Sequence, residues 1–386
     1  MVKVAIVCGA GIVSGKEVMA LELGQGLRES GVEVYFITSR WGSGEFGRRT
    51  EAAGFPTYRL WLGFISATLR LDCIWMTLDQ LWHWPALFIG YRRFLKKVSP
   101  AKVVHTNWHH VLLLWSLLRP QRDIFWLHEV IPKKPQYRGL FQRMGARVGC
   151  FVTVSNASGK SLVDLGVAES EIHVIYNGIT DPAHGDTRGR DNSQTVGIVG
   201  QIGRWKGHED LLEAFQIILS GHSNAELHIF GNGSPDYEAF LRRRISELGA
   251  GRNVFWQGFI RDRSKIYPGL TLLVVPSRSE DALPTTAIEA AFFRVPVIAS
   301  RRGGLPDIVE DGVTGYLFEP GDVARLAKHT MTLLQDAGLR SEIGQNARKR
   351  AMSLFSRERF VRDFIDLLDA GGIKAKQNGH TVDHAA

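Results

Sequence analysis

The chain has 386 residues, 44% hydrophobic and 22% charged, with 14 prolines. That excludes intrinsic disorder, a collagen-like repeat and a disulfide-stapled miniprotein, and suggests two globular domains of comparable size. Cys8, Cys73 and Cys150 lie far apart with no CxxC pair, so neither structural zinc nor a disulfide framework is expected and a reducing compartment is. The net charge of +8 is confined to the first half. Residues 1–190 hold 8 Lys and 15 Arg against 15 acidic residues, whereas residues 191–386 hold 24 of each sign. The basic half reads either as facing a phosphate-rich or anionic partner or as a merely basic surface.

In chain order, residues 2–8 form a β-branched-rich apolar run, as in a strand buried on both faces of a parallel sheet. It leads straight into a Gly-rich turn, which favours a strand over a targeting peptide. Residues 16–30 carry an apolar stripe at helical spacing (Val18, Leu21, Leu23, Leu27), closed by Gly31, and 33–38 make a second strand. Further strands are expected at 102–106, 124–128, 151–155 and 172–176, with a helix at 156–165. A polar, aperiodic stretch, 177–194, reads as a linker. The strand–helix rhythm then restarts, with strands at 195–199, 226–230, 254–257, 272–275 and 295–299 and helices between them, including 207–220 and a last one at 358–368.

Residues 61–98 break the rhythm. They are rich in Trp, Leu and Phe and end in Tyr91-Arg92-Arg93-Phe94-Leu95-Lys96-Lys97. Two readings stand: an interfacial amphipathic helix on an anionic membrane surface, or a helical insertion packed on the sheet with its cations in solvent. No apolar run reaches the ~18 residues of a spanning helix.

Two segments carry chemistry. Gly200-Gln201-Ile202-Gly203-Arg204-Trp205-Lys206-Gly207 follows a strand and opens a helix. Its glycines let backbone N–H groups approach an anion, the helix N-terminus adds a favourable dipole, and Arg204 and Lys206 add charge. The second segment runs from Pro276 through Ser277, Arg278, Ser279, Glu280, Asp281, Ala282, Leu283, Pro284, Thr285 and Thr286 to Glu289 and Ala290, again after a strand. Pro284 suits a first helical turn, whose free N–H groups point back to the strand ends. Asp281 lies before that helix and Glu289 on its second turn, where a carboxylate could accept two O–H bonds from a ribose diol.

Together these motifs resemble the family-four retaining glycosyltransferases of GT-B fold. The likeness covers most of the chain and is densest from 196 to 320, with supporting stretches at 229–235 and 295–322. The resemblance implies two Rossmann-like α/β/α domains facing a central cleft, with the C-terminal helix returning to the first. The implied boundaries are 1–177 for acceptor binding, 178–194 for the linker, 195–355 for donor binding, 356–370 for the returning helix and 371–386 for a frayed tail. It implies Lys206 on the donor diphosphate, Glu289 on the nucleotide ribose and Asp281 beside the sugar or its phosphate. Leu283, Pro284, Thr285 and Thr286 would complete the phosphate cradle, with Arg204 nearby and Gly258 and Phe259 near the base. In the first domain, Ser14-Gly15-Lys16-Glu17 resembles the family's Gly-Gly loop, placing Gly15 against the diphosphate. Phe125-Trp126-Leu127-His128-Glu129 resembles the strand ending in His-Asp, making His128 the histidine at the reacting sugar. Asn177-Gly178 matches the pair that precedes the second domain in many members.

Gln201 stands where the family has Arg, so one diphosphate cation is missing unless Arg204 replaces it. Asp281 and Asp307 each stand for a Glu, one methylene shorter with the same charge. The resemblance further implies a hexosyl donor linked to UDP or GDP, no metal or other cofactor, and no nucleic acid. The acceptor would be a glycan or lipid-linked, in cell-envelope or exopolysaccharide assembly, with the protein cytoplasmic and peripheral on the inner face of the membrane. The rivals are a non-catalytic scaffold on the same fold, prompted by Gln201, and another sugar-nucleotide enzyme such as an epimerase. His105, His109 and His110 are a weak metal pattern, and Gly9-Ala10-Gly11 without a third placed Gly is poor support for a dinucleotide site. Arg301 and Arg302 face either the cleft or solvent, and the ten tryptophans read as core and interface rather than sugar platforms.

Overall fold

The computed structural model describes residues 2–9, 13–66, 70–183 and 194–370. The chain divides into two compact units: Met1–Val154 with Ser158–Gly178 and Arg357–Ala386, and Ser155–Ala157 with Ile179–Ser356. Residues 10–12 of the Gly9-Ala10-Gly11 turn, 184–193 of the expected linker, and the expected tail 371–386 lie outside the described residues.

The first unit begins with β1 (Lys3–Val7), α1 (Gly15–Glu29), β2 (Glu33–Ser39), α2 (Glu45–Ala52) and β3 (Thr57–Leu60). It goes on through α3 (Leu71–Trp82), α4 (Trp84–Val98), β4 (Lys102–His105), α5 (Trp108–Leu113), β5 (Asp123–Leu127), α6 (Pro135–Gly145), β6 (Cys150–Thr153), α7 (Asn156–Asp164) and β7 (Ile172–Val174). Its seven strands are parallel in the order β3-β2-β1-β4-β5-β6-β7. The central strands are buried on both faces, as their continuous apolar runs require.

The second unit holds β8 (Thr195–Val199), α8 (His208–Gly221), β9 (Glu226–Phe230), α9 (Pro235–Glu247), β10 (Val254–Gly258), β11 (Leu272–Val275) and α10 (Thr285–Phe292). It continues with β12 (Val297–Ser300), α11 (Leu305–Ile308), β13 (Gly315–Phe318), α12 (Val323–Gln335) and α13 (Ala337–Leu354). Its parallel sheet runs β10-β9-β8-β11-β12-β13 over a core that includes Leu211, Phe215, Ile229, Leu241 and Val274. The start of the expected linker is packed here: Ile179 N–H donates to Phe355 O at 2.9 Å, and Asp181 pairs with Arg348 at 2.7 Å.

The last helix, α14 (Arg357–Ala370), belongs to the first unit. Phe360 and Phe364 pack on Trp126, with centroids 5.8 and 4.9 Å away, and Arg357 pairs with Glu22 and Glu29 of α1. Residues 61–98 resolve into two helices of unlike burial. On α4 the aromatic residues Tyr91 and Phe94 are core, with Leu87 and Val98, while Arg92, Arg93, Lys96 and Lys97 are exposed. For α4 the packed-insertion reading therefore holds. No described helix is long and apolar enough to cross a membrane.

Candidate active site

In the second unit the strand order reverses between β8 and β11, the position at which open α/β sheets bind ligands beyond the strand ends. Both motifs found in the sequence leave the sheet there. Gly207, at φ +73° ahead of α8, lies so close to Pro276 that a Cβ would sit 1.9 Å from its carbonyl oxygen. Only glycine fits this crossing. Arg278 N–H adds a hydrogen bond to Trp205 O at 2.9 Å, so two loops some seventy residues apart in sequence form one wall. Gly231, at φ +134°, brings the β9 loop against the Gly200 carbonyl in the same way.

These loops line a pocket of about 410 Å³ that also takes in Gln201, Asn232, Phe259, Arg261, Arg263, Thr285, Thr286 and Glu289. Pro284 precedes α10 and fixes its start. Thr285 and Glu289, four residues apart, then share a face of the helix. Gly258 ends β10 at φ +67° and presents the largely exposed Phe259 to the pocket. Leu283 is buried beneath the loop.

Glu289 is buried and already holds two donors. Arg263 Nε donates to its Oε1 at 2.7 Å and the Tyr267 hydroxyl to its Oε2 at 2.7 Å. Each oxygen keeps a further acceptor direction, so a diol would meet a pre-oriented carboxylate. Burial, with the Glu289 charge beside it, raises the Tyr267 phenol well above its ordinary value. Lys206 is ion-paired with Asp281, so the structure joins these two residues directly. Asp281 is not among the pocket's lining residues, contrary to the expectation that it shares one cavity with Glu289.

The other cations are committed elsewhere. Arg204 pairs with Glu209 at 3.1 Å, lies over the rings of Tyr237 and Phe240 and is not among the pocket's lining residues. Arg278 makes a two-point ion pair with buried Asp210. Arg301 pairs with Asp311 and Arg302 with Glu280, both about half exposed. Positive charge in the pocket lining comes instead from Arg261 and Arg263. Sequence reasoning overlooked both, and Tyr267. The available signal was two arginines in the loop directly after Gly258-Phe259.

In the first unit the reversal falls between β1 and β4. Gly15 opens α1, and a Cβ there would meet nothing within 4 Å. Glu17 turns back to accept the Ser14 N–H at 2.8 Å and so fixes the helix start. His128 follows β5; its Nε2 is shut off from solvent and has no partner among the described residues. Burial first, and the charge of Lys16 second, push its pKa down to about 3. It is a neutral imidazole with one ring nitrogen unused. His105 lies at the end of β4 and bonds Asp123 at 2.8 Å, while His109 and His110 are on α5, so the three do not share one helix.

Two family models match the chain: residues 182–350 fit Glycosyl transferases group 1, and residues 13–181 fit Glycosyltransferase Family 4. The capsular polysaccharide biosynthesis glycosyltransferase CapM of Staphylococcus aureus is 33% identical over 165 residues. That match covers 42% of this chain and only 42% of CapM. The N-acetyl-alpha-D-glucosaminyl L-malate synthase of Bacillus anthracis is 23% identical over 94% of this chain and 95% of its own length. Among solved structures, HepE of Anabaena in complex with UDP has a TM-score of 0.79 at 18% identity, covering 96% of this chain and 100% of that one. HepE is also solved with UDP-glucose. With the two models abutting at residue 182 and a parallel α/β sheet in each unit, the chain belongs to the family-four-like glycosyltransferases of GT-B fold.

Proposed function

We propose that the chain is a retaining glycosyltransferase that moves a hexose from a UDP- or GDP-linked donor to a glycan or lipid-linked acceptor. The observation that carries this is the second unit's pocket, in which Glu289, held by Arg263 and Tyr267, shares a wall with the start of α10. A ribose diol suits the carboxylate, the diphosphate suits the free N–H groups of the helix start, and Lys206, held by Asp281 of the loop before that helix, is the expected diphosphate cation. Capsular polysaccharide synthesis by CapM and the UDP-glucose bound by HepE support a sugar-nucleotide reaction in cell-envelope or exopolysaccharide assembly.

In the proposed step the anomeric C–O bond to the diphosphate breaks. The acceptor hydroxyl oxygen bonds to that carbon on the same face, and its proton passes to the departing phosphate oxygen. Lys206 and the α10 amides stabilise the charge that develops on the leaving group, with no cofactor or metal called for. Asp281 keeps Lys206 in place and lies toward the sugar phosphate. His128, the histidine expected at the reacting sugar, is a neutral imidazole whose Nε2 is enclosed here and would have to be uncovered to meet a sugar hydroxyl. The protein would act in the cytoplasm, peripheral on the inner face of the membrane.

A thermal-shift screen against UDP, GDP, ADP, CMP and NAD tests the reading. A ligand at a hundred times its dissociation constant should stabilise the fold by about 2.7 kcal/mol. One nucleoside diphosphate should raise the midpoint, and Lys206→Ala and Glu289→Ala should abolish that rise. A shift with NAD alone, or with none, would sink the proposal. The scaffold reading rests on Gln201, and donor hydrolysis or transfer by the wild type would dispose of it.

A further inference from the structure

Helix α3 is amphipathic the wrong way round. Its protein-facing side is polar: Gln80 is buried, donates to Trp61 O at 2.9 Å and accepts from Trp41 Nε1 at 3.0 Å. Thr77 Oγ1 accepts the Ser66 N–H at 3.0 Å. Its outward side is apolar. Leu71, Trp75, Leu78 and Trp82 recur at i, i+4, i+7 and i+11, one stripe of a helix, and are 75%, 70%, 51% and 83% exposed. A stripe of this kind exposes more apolar surface than a lone soluble helix ordinarily does.

We infer that the outward face of α3 docks on an anionic phospholipid bilayer. Two observations choose lipid as the occupant. The next helix, α4, exposes Arg92, Arg93, Lys96 and Lys97 together with Ile89, so the two-helix segment that bears the apolar stripe also bears four exposed cations. The stripe itself pairs two tryptophans with two leucines, the composition favoured at the boundary between headgroups and acyl chains. Of the two acids on α3, Asp72 is ion-paired with Arg70, and Asp79 is outnumbered by the four exposed cations of α4. The inference gives the membrane part of the proposed function a surface. Its test uses no nucleotide, so it can fail while the donor reading stands, and the reverse.

The test is flotation of the purified full chain with phosphatidylcholine vesicles, with and without phosphatidylglycerol. The wild type should float with the anionic vesicles and much less with the neutral ones. Trp75→Glu with Trp82→Glu should reduce the bound fraction at least about tenfold, and Arg92→Glu with Lys96→Glu should remove the preference for phosphatidylglycerol. All four positions are exposed, and circular dichroism and the thermal midpoint should match the wild type. A wild type that stays at the bottom of the gradient overturns the inference, as does binding unchanged in the tryptophan variant. So does a wild-type dimer in solution that the tryptophan variant dissociates, because a second copy would then be the occupant.

Discussion

Arg263 donates from Nε to Oε1 of Glu289 at 2.7 Å, across 26 residues of sequence, and thereby brings a cation to the wall of the second unit's pocket. Tyr267 completes the arrangement from the other oxygen. Its ring stacks on Phe293 with centroids 5.4 Å apart, so Tyr267→Phe removes the hydroxyl and keeps the packing. A buried carboxylate that loses one donor should cost about 1.5–3 kcal/mol. The urea midpoint should fall accordingly, and UDP affinity should drop with it as Glu289 loses its fixed orientation. A variant with wild-type stability and affinity would show that the hydroxyl contributes nothing.

Gln201 lines the same pocket, at the position where the family resemblance leads one to expect arginine. Restoring the cation by Gln201→Arg should add a charge-assisted bond to the diphosphate, and about 1.4 kcal/mol corresponds to tenfold in affinity. Calorimetric titration should therefore show UDP binding roughly tenfold tighter. Unchanged or weaker binding would mean that the diphosphate lies away from this loop.

Asp281 competes with any incoming phosphate for Lys206. The side chains of the pair are 24% and 28% exposed, so the contact is partly screened and contributes at most about 1 kcal/mol. Asp281→Asn should tighten binding of bare UDP by up to about fivefold while lowering transfer to acceptor, because in the proposed step this carboxylate acts beside the sugar. Weaker UDP binding in this variant would contradict a phosphate role for Lys206.

Much of this was legible in the sequence, for identifiable reasons. Strands such as β1, β8 and β11 are buried on both faces and read as unbroken apolar runs. The edge strands β3 and β13 were missed: each has four residues, pairs on one side only and carries no such run. The two motif loops announced themselves through glycine or proline placed directly after strands. Arg263 and Tyr267 did not, since what they do is set by Glu289, which reaches them only through the fold. The Trp- and Leu-rich composition of 61–98 was plain in the sequence, but not that α3 would turn its apolar side outward; the inward hydrogen bonds of Gln80 and Thr77 decide that.

Buried neutral histidines give the protein a specific acid sensitivity. Burial holds His128 at about 3 and His208 at about 4, with Lys16 and Lys206 respectively adding to the effect, and it takes His110 well below its ordinary value. A folded pKa below the unfolded 6.5 means that, between the two, the unfolded chain binds the proton and the native one does not. Stability is therefore fully present above about pH 6.5 and is lost as pH falls toward the folded values, at about 1.4 kcal/mol per pH unit for each histidine. Glu129 and Asp307, whose carboxyls burial pushes up, act in the opposite sense. Urea midpoints measured from pH 7.5 to 5 should stay level and then descend below about 6.5. His110→Phe, at a fully buried ring with neither nitrogen bonded among the described residues, should make that descent shallower by about one proton. An unaltered slope in this variant would mean that His110 is not held neutral by the fold.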